Sequence, residues 1–140
     1  MSRSVGIGDT VCEGDKLPRE DRIISTVDLM IYGGATWDWH RLHYDKDYVN
    51  ELGLQNLVID GQMYGALFAR YISSWAGPSS FIQKLSVTYK TLAFAGDKLS
   101  FGGVVKKFEG NEDYRLASLD LTFKRNESLV ASGESLVRLT

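Results

Sequence analysis

Both histidines of the chain lie in one short stretch that also contains two aspartates. The stretch reads Trp37-Asp38-Trp39-His40-Arg41-Leu42-His43-Tyr44-Asp45. Asp38 and His43 are five positions apart, so a turn can direct both side chains at one small volume. A carboxylate and an imidazole that share a water molecule form an acid–base pair near neutral pH. The spacing therefore predicts general acid–base chemistry by these two residues.

Two other interpretations of this stretch stay open on spacing alone. Asp38 can cap a turn while His43 satisfies a buried carbonyl, and neither residue then does chemistry. His40, His43, Asp38 and Asp45 can also be considered as metal ligands, but no cysteine lies among them and their spacing is not typical of zinc sites. We predict that the protein needs no metal. The chain lacks a phosphate-binding glycine motif in a strand–helix context, and we predict no cofactor.

The elements around the pair must hold it in place. A first helix is predicted to begin after an N-cap at Thr26 and to stop at Gly33-Gly34. A second helix is predicted from a cap at Asp45 to Leu52, where Gly53 ends it. The acid–base stretch then lies in a loop between two short helices, and such loops commonly carry function.

A third helix is predicted between a cap at Asp60 and the breaker Gly77-Pro78. Apolar residues occupy nearly every side of it, and Arg70 is its only charged residue. A helix that is apolar all round is usually buried, so other elements must wrap it.

Alternating apolar and polar residues after position 80 predict strands joined by short turns. We expect four long strands in a sequential antiparallel meander, curved around the third helix. A short strand at Ile23-Ile24-Ser25 can add to an edge of the sheet. Residues 1–22 are predicted to form an N-terminal arm or edge strand. The expected architecture is a single α+β domain over residues 1–140, the size of one domain.

Charge and composition exclude several partners. Sixteen basic against eighteen acidic residues give a net charge of −2, so no strong field attracts nucleic acid or an anionic membrane. The longest apolar stretch is interrupted by Arg70 and is too short to cross a bilayer. A single cysteine excludes an intrachain disulfide, and no secretory signal is recognisable at Met1. A cytoplasmic location is therefore expected.

The acid–base stretch resembles the hydratase motif of MaoC-like dehydratases, the (R)-specific enoyl-CoA hydratase group. That motif runs roughly Tyr, a few small residues, Ser or Thr, then Asp-x-Asn-Pro-x-His-x-Asp. The resemblance extends over most of the chain after about residue 23. The matching segments are Tyr32 to Asp45, Gly53-Leu54, Asp60-Gly61-Gln62-Met63 and Gly96-Asp97-Lys98-Leu99.

The resemblance implies a hot-dog fold and places the catalytic aspartate on Asp38 and the catalytic histidine on His43. Two positions depart from the pattern. His40-Arg41 replaces Asn-Pro in the turn, and Asp60 replaces a histidine before the helix.

The implied activity is that of a hydro-lyase interconverting a 2-enoyl and a 3-hydroxyacyl thioester, carried by coenzyme A or by an acyl carrier. Substrate contacts are predicted at Asp60, Gly61, Gln62 and Met63. The backbone N–H groups of Gly61 and Gln62 are suited to stabilise an enolate.

Two alternative functions follow from the same sequence. A hot-dog thioesterase would use an acidic residue such as Asp60, and a non-catalytic acyl-binding subunit would complete a partner's site. An exposed sheet edge also predicts a homodimer or higher homo-oligomer.

Overall fold

The computed structural model describes residues 7–111 and 113–140. Five strands form one antiparallel sheet in the order β1-β3-β4-β5-β2. The strands are β1 (Lys16–Ile23), β2 (Phe81–Tyr89), β3 (Lys98–Gly110), β4 (Arg115–Arg125) and β5 (Ser128–Leu139). The helices are α1 (Thr26–Thr36), α2 (Lys46–Glu51) and α3 (Gly61–Ala76), with 3₁₀ turns at Ile7–Asp9 and Arg41–His43.

The strongest strand signals of the sequence are confirmed in β4 and β5. Alternate residues of β4 are buried, and they are Ala117, Leu119, Leu121 and Phe123. Asn126 and Glu127 connect the two strands with φ angles of 47° and 66°. This left-handed pair gives a tight hairpin whose twist matches that of the strands.

The predicted bounds of the central helix are confirmed. Asp60 caps α3 by accepting the backbone N–H of Gln62 over 2.9 Å, and Gly77 ends the helix with a φ of 87°. Phe68 packs edge-on against Phe101 and Phe123, whose rings stack with centroids 4.6 Å apart. The helix therefore lies against the sheet through an aromatic core.

Other elements wrap α3, as the sequence predicts, but not on every side of the helix. One stripe of the helix is exposed, and it consists of Gln62, Ala66, Arg70, Ser73 and Ser74. These residues recur at helical spacing on the side away from the sheet, and Arg70 pairs there with Glu20 of β1. The curved sheet covers one face of α3 rather than its whole circumference.

The predicted sequential meander is wrong in one connection, that between β2 and β3. β3, β4 and β5 are consecutive neighbours, but β2 pairs with β5 and lies at the opposite edge from β1. The segment between β2 and β3 is held against the chain before α3: Ala93 accepts from Ile59, and Ala95 donates to Leu57, each over 2.9 Å. These long-range hydrogen bonds position the segment that connects β2, at one edge of the sheet, to β3, which lies next to β1 at the other edge.

The early part of the chain differs from the expected boundaries. The predicted N-terminal arm or edge strand starts in residues outside the described part, and its described portion contains the edge strand β1. That strand ends at Ile23, so the predicted short strand at 23–25 is misplaced. The cap of α1 is Ser25 rather than Thr26, in a capping box with Asp28.

Helix α1 also continues through Gly33-Gly34, where the sequence predicts a stop. Gly33 is needed for a close approach rather than to stop the helix, since a Cβ there would lie 3.0 Å from the ring of Trp39. Within residues 7–111 and 113–140, no helix combines the length and apolarity needed to cross a membrane.

Candidate active site

The loop that carries Asp38 folds back onto the end of α1. Trp37 ends the helix in a left-handed conformation with a φ of 59°. The indole of Trp39 then packs over the bare backbone of Gly33. Its ring contacts Trp37 and Tyr44 edge-on, with centroids 6.1 Å and 6.2 Å away. This aromatic packing fixes where Asp38 leaves the helix.

His40-Arg41, the replacement for Asn-Pro, forms an ordered turn of its own. The Nδ1 atom of His40 accepts the backbone N–H of Leu42 over 3.2 Å, which caps the 3₁₀ turn. Arg41 pairs with Asp45 at 2.9 Å and covers the ring of Tyr48. The turn is therefore stabilised without a proline.

His43 is held by the segment that precedes α3. Its Nδ1 lies 2.7 Å from the carbonyl oxygen of Val58, and the N–H of Val58 donates to Leu42 over 2.9 Å. A carbonyl oxygen only accepts, so Nδ1 must carry the proton. The Nε2 atom is then the unprotonated nitrogen of the neutral ring, which is the state a general base requires.

The structure brings Asp38 and His43 together, and it adds Asp60 to them. One ligand-type atom from each of the three side chains lies within 4.8 Å of the other two. The sequence predicts Asp60 as a helix cap and substrate contact, but not as a neighbour of Asp38. The apolar residues Val58 and Ile59 before it indicate that Asp60 is buried, but they do not predict which side chains it contacts.

Asp60 is only 6% exposed. Burial raises the pKa of its carboxyl, while the backbone N–H of Gln62 lowers it. The neighbouring Asp38 raises this pKa further through a side-chain hydrogen bond and charge repulsion, and His43 opposes that shift. Burial and a like charge together favour the protonated acid.

The side chain of His43 lines a groove of about 530 Å³. Its lining is Leu42, His43, Val58, Ile59, Gly61, Tyr64, Tyr89, Lys90, Thr91 and Leu92. The lining is largely apolar and contains one lysine, so it suits an acyl group with an anionic carrier.

Gly61 lies in this groove at the N-terminus of α3. No acceptor for its backbone N–H occurs among the described residues, whereas the N–H of Gln62 is taken by the Asp60 side chain and that of Met63 by the Asp60 carbonyl. Of the two predicted enolate donors, Gln62 is therefore occupied and Gly61 is available. The hydroxyl of Tyr89 donates to the Gly61 carbonyl over 3.0 Å.

The predicted substrate contacts occupy different environments. Gln62 is exposed on the outer stripe of α3, and the Met63 side chain is buried in the core. Neither residue belongs to the groove lining, so Gly61 is the predicted contact that faces the groove.

The four residues considered as metal ligands do not assemble. His40 caps the 3₁₀ turn, and Asp45 caps α2 while pairing with Arg41. Of that set, Asp38 and His43 belong to the cluster of ligand-type atoms within 4.8 Å, with Asp60 as its third member, while the centroid of the His40 ring lies 6.0 Å from that of His43.

A curved antiparallel sheet packed on one long helix defines a protein of the hot-dog fold class. The sequence model of the family described as hydroxyacyl-thioester dehydratase type 2 matches residues 12–97. The chain belongs to this family, and it is a hydro-lyase of the thioester hydratase/dehydratase type.

Two curated proteins are related in sequence. The mitochondrial 3-hydroxyacyl-[acyl-carrier-protein] dehydratase of Arabidopsis thaliana is 28% identical over 126 residues, which cover 87% of this chain and 74% of the relative. The beta subunit of the 3-oxo-4,17-pregnadiene-20-carboxyl-CoA hydratase of Mycobacterium tuberculosis is 30% identical over 71 residues. That match covers 51% of this chain and 55% of the relative.

Solved structures share the fold. The (R)-hydratase from A. caviae superposes with a TM-score of 0.84 at 20% identity, covering 94% of this chain and 98% of that one. The ChsH1–ChsH2 complex from Mycobacterium tuberculosis contains a chain with a TM-score of 0.83 at 19% identity, covering 92% of this chain and 98% of that one.

Proposed function

We propose that Asp38 and His43 jointly hold the water that this enzyme adds to a 2-enoyl-CoA or removes from a 3-hydroxyacyl-CoA. The bond from His43 Nδ1 to the Val58 carbonyl carries the proposal. It fixes the ring and leaves Nε2 free to act as a base, in a side chain that lines the apolar groove and has a ring nitrogen within 4.8 Å of an Asp38 carboxylate oxygen.

The hydration step can be written with balanced protons. Nε2 of His43 takes a proton from the water that Asp38 orients, and the oxygen forms a bond to the β-carbon. Electron density moves to the thioester oxygen, where the Gly61 N–H stabilises the enolate. The imidazolium then returns its proton to the α-carbon, and the enolate collapses to the 3-hydroxyacyl thioester.

A carrier with a phosphate, either coenzyme A or an acyl carrier protein, is proposed because of one side chain in the groove. Lys90 is exposed in its lining and makes no ion pair with any residue of the described part. An unpaired ammonium suits a phosphate of the carrier arm. The two curated relatives are named for a carrier protein and for coenzyme A, so both carriers should be compared.

The direct test is hydration of crotonyl-CoA, followed by loss of the enoyl absorbance and repeated with longer and branched enoyl-CoAs. We expect a 3-hydroxyacyl-CoA product. Free acid and thiol would instead identify a thioesterase. Absence of turnover by the purified chain, with turnover restored by a partner subunit, would identify a component of a heteromeric enzyme.

We further propose that the protein is a homodimer. Strand β2 forms an edge of the sheet and exposes Phe81 and Tyr89 at 57% and 56%. The exposed stripe of α3 offers a second uncovered surface. Association of two copies would cover such surfaces, and two-fold dimers are the commonest solution. Light scattering at micromolar concentration should give the dimer mass, and a clean monomer would contradict the proposal.

A further inference from the structure

The carboxyl of Asp60, like that of Asp38, lies outside the groove lining, which includes only His43 of the three side chains. It is almost fully buried, and it is absent from the groove lining although its neighbours Ile59 and Gly61 belong to it. One oxygen accepts the backbone N–H of Gln62, which leaves the second available to another partner. Asp38 and His43 each place a ligand-type atom within 4.8 Å of the Asp60 carboxyl.

Two carboxylates with oxygens within 4.8 Å of each other repel when both are ionised, and the burial of Asp60 strengthens the repulsion. A proton on one of them removes the repulsion and lets that acid donate a charge-assisted hydrogen bond when the two oxygens approach. Such a bond also fixes the orientation of the more exposed partner, because the buried partner is already held by the helix N-terminus.

We propose that Asp60 is a positioning residue that shares one proton with Asp38 and thereby holds the Asp38 carboxylate toward the water beside His43. The inference rests on the proposed hydratase function and adds a third member to its pair. Asp60 acts through Asp38 and does not touch the substrate.

The groups that face Asp60 from the neighbouring elements support a proton between the acids. They are Asp38 after α1, His43 in the 3₁₀ turn and Tyr32 on α1. The pKa of Tyr32 is raised by burial and then by Asp60 and Asp38, so Tyr32 stays neutral. His43 is the group here that can oppose the two acids with positive charge. As pH rises through the raised pKa of Asp60, the shared proton leaves and Asp38 loses its support.

Two substitutions separate positioning from helix capping. Asp60→Asn keeps the cap and gives Asp38 an N–H donor, so it should retain most of the wild-type kcat but lose the decline in kcat that ionisation of Asp60 causes as pH rises. Asp60→Ser also caps a helix well, but it is too short to hold Asp38. We expect its kcat to fall between roughly ten- and a hundredfold with KM little changed, the scale of a small misplacement of a reacting group.

A matched control comes from the other capped helix. Ser25→Ala removes the cap of α1, including its bond to the Asp28 backbone N–H. It should lower the thermal midpoint without altering kcat or the pH profile. An unchanged kcat in Asp60→Ser would overturn the positioning role, as would a fall in kcat of equal size in Ser25→Ala.

A thermal measurement tests the shared proton without any assay of activity. Because the pKa of Asp60 is raised on folding, the folded protein keeps a proton that the unfolded chain releases, and stability falls as pH rises between the two pKa values. The thermal midpoint of Asp60→Asn should therefore gain on that of the wild type as pH rises. A constant difference would refute the shared proton. A wild-type protein that hydrates no enoyl-CoA would refute the proposed function, and the thermal comparison would still show whether folded Asp60 keeps the proton that sharing requires.

Discussion

Nδ1 of His43 lies 2.7 Å from the carbonyl oxygen of Val58, two residues before the buried Asp60. This one bond ties the loop after α1 to the segment that leads into α3. It also determines the tautomer of the imidazole, because Nδ1 must donate. The interpretation that His43 satisfies a carbonyl and the interpretation that it is a base are therefore compatible, since each uses a different nitrogen.

The catalytic pair can be tested by near-isosteric replacement. Asp38→Asn and His43→Gln should each lower kcat by about a hundredfold or more, the usual scale for a positioned acid–base group. The double variant should lose little more than either single variant, because residues that act as a unit fail together. Turnover and thermal midpoint should be measured on the same samples.

His40→Gln is the control for this pair, since His40 caps the turn and lies outside the predicted pair. It should lower the thermal midpoint and reduce kcat far less than His43→Gln does. Full activity in His43→Gln would refute the proposed base.

Two glycines of α3 provide a matched comparison at the enolate site. A Cβ on Gly61 would lie 3.3 Å from the ring of Tyr89 inside the groove, whereas a Cβ on Gly65 would meet nothing within 4 Å. Gly61→Ala should lower kcat/KM by about tenfold or more, because it displaces the thioester from the backbone donor. Gly65→Ala should leave kcat/KM unchanged and stabilise the helix by about 0.5–1 kcal/mol. Equal kinetics in the two variants would exclude Gly61 as a contact.

The carrier contact of Lys90 predicts a charge-dependent KM. Lys90→Glu should raise KM for crotonyl-CoA by roughly tenfold, the scale of one charge-assisted contact, with kcat little changed. The effect should weaken at high salt and vanish with crotonyl-N-acetylcysteamine, which has no phosphate. Lys84→Glu, in the preceding strand β2 and outside this groove, is the control. A similar rise in KM for both variants would indicate a general effect of charge.

Metal independence follows from the proposed chemistry, which uses a carboxylate, an imidazole and a backbone N–H. Prolonged treatment with a chelator should leave crotonyl-CoA hydration unchanged. A stoichiometric metal in the purified protein that is lost together with activity would show instead that Asp38, His43 and Asp60 act through a bound ion.

The sequence by itself determined the features that depend on neighbours along the chain. The bounds of α3 follow from the cap at Asp60 and the breaker at Gly77-Pro78, and the buried face of β4 follows from strict alternation. The Asp38–His43 spacing likewise predicts a pair that the fold brings together. In each case the interactions that decide the structure join residues close together in the chain, so the local sequence is enough to predict them.

The tertiary structure alone decided which distant segments meet. The pairing of β2 with β5, the bond from His43 to Val58 and the approach of Asp60 to Asp38 each join residues well separated in the chain. It also decided that Gly61 rather than Gln62 offers a backbone donor, because the Asp60 side chain takes the Gln62 N–H. Local patterns fix periodicity and caps, but the partner of a side chain depends on how the whole sheet packs on the helix, which no local pattern specifies.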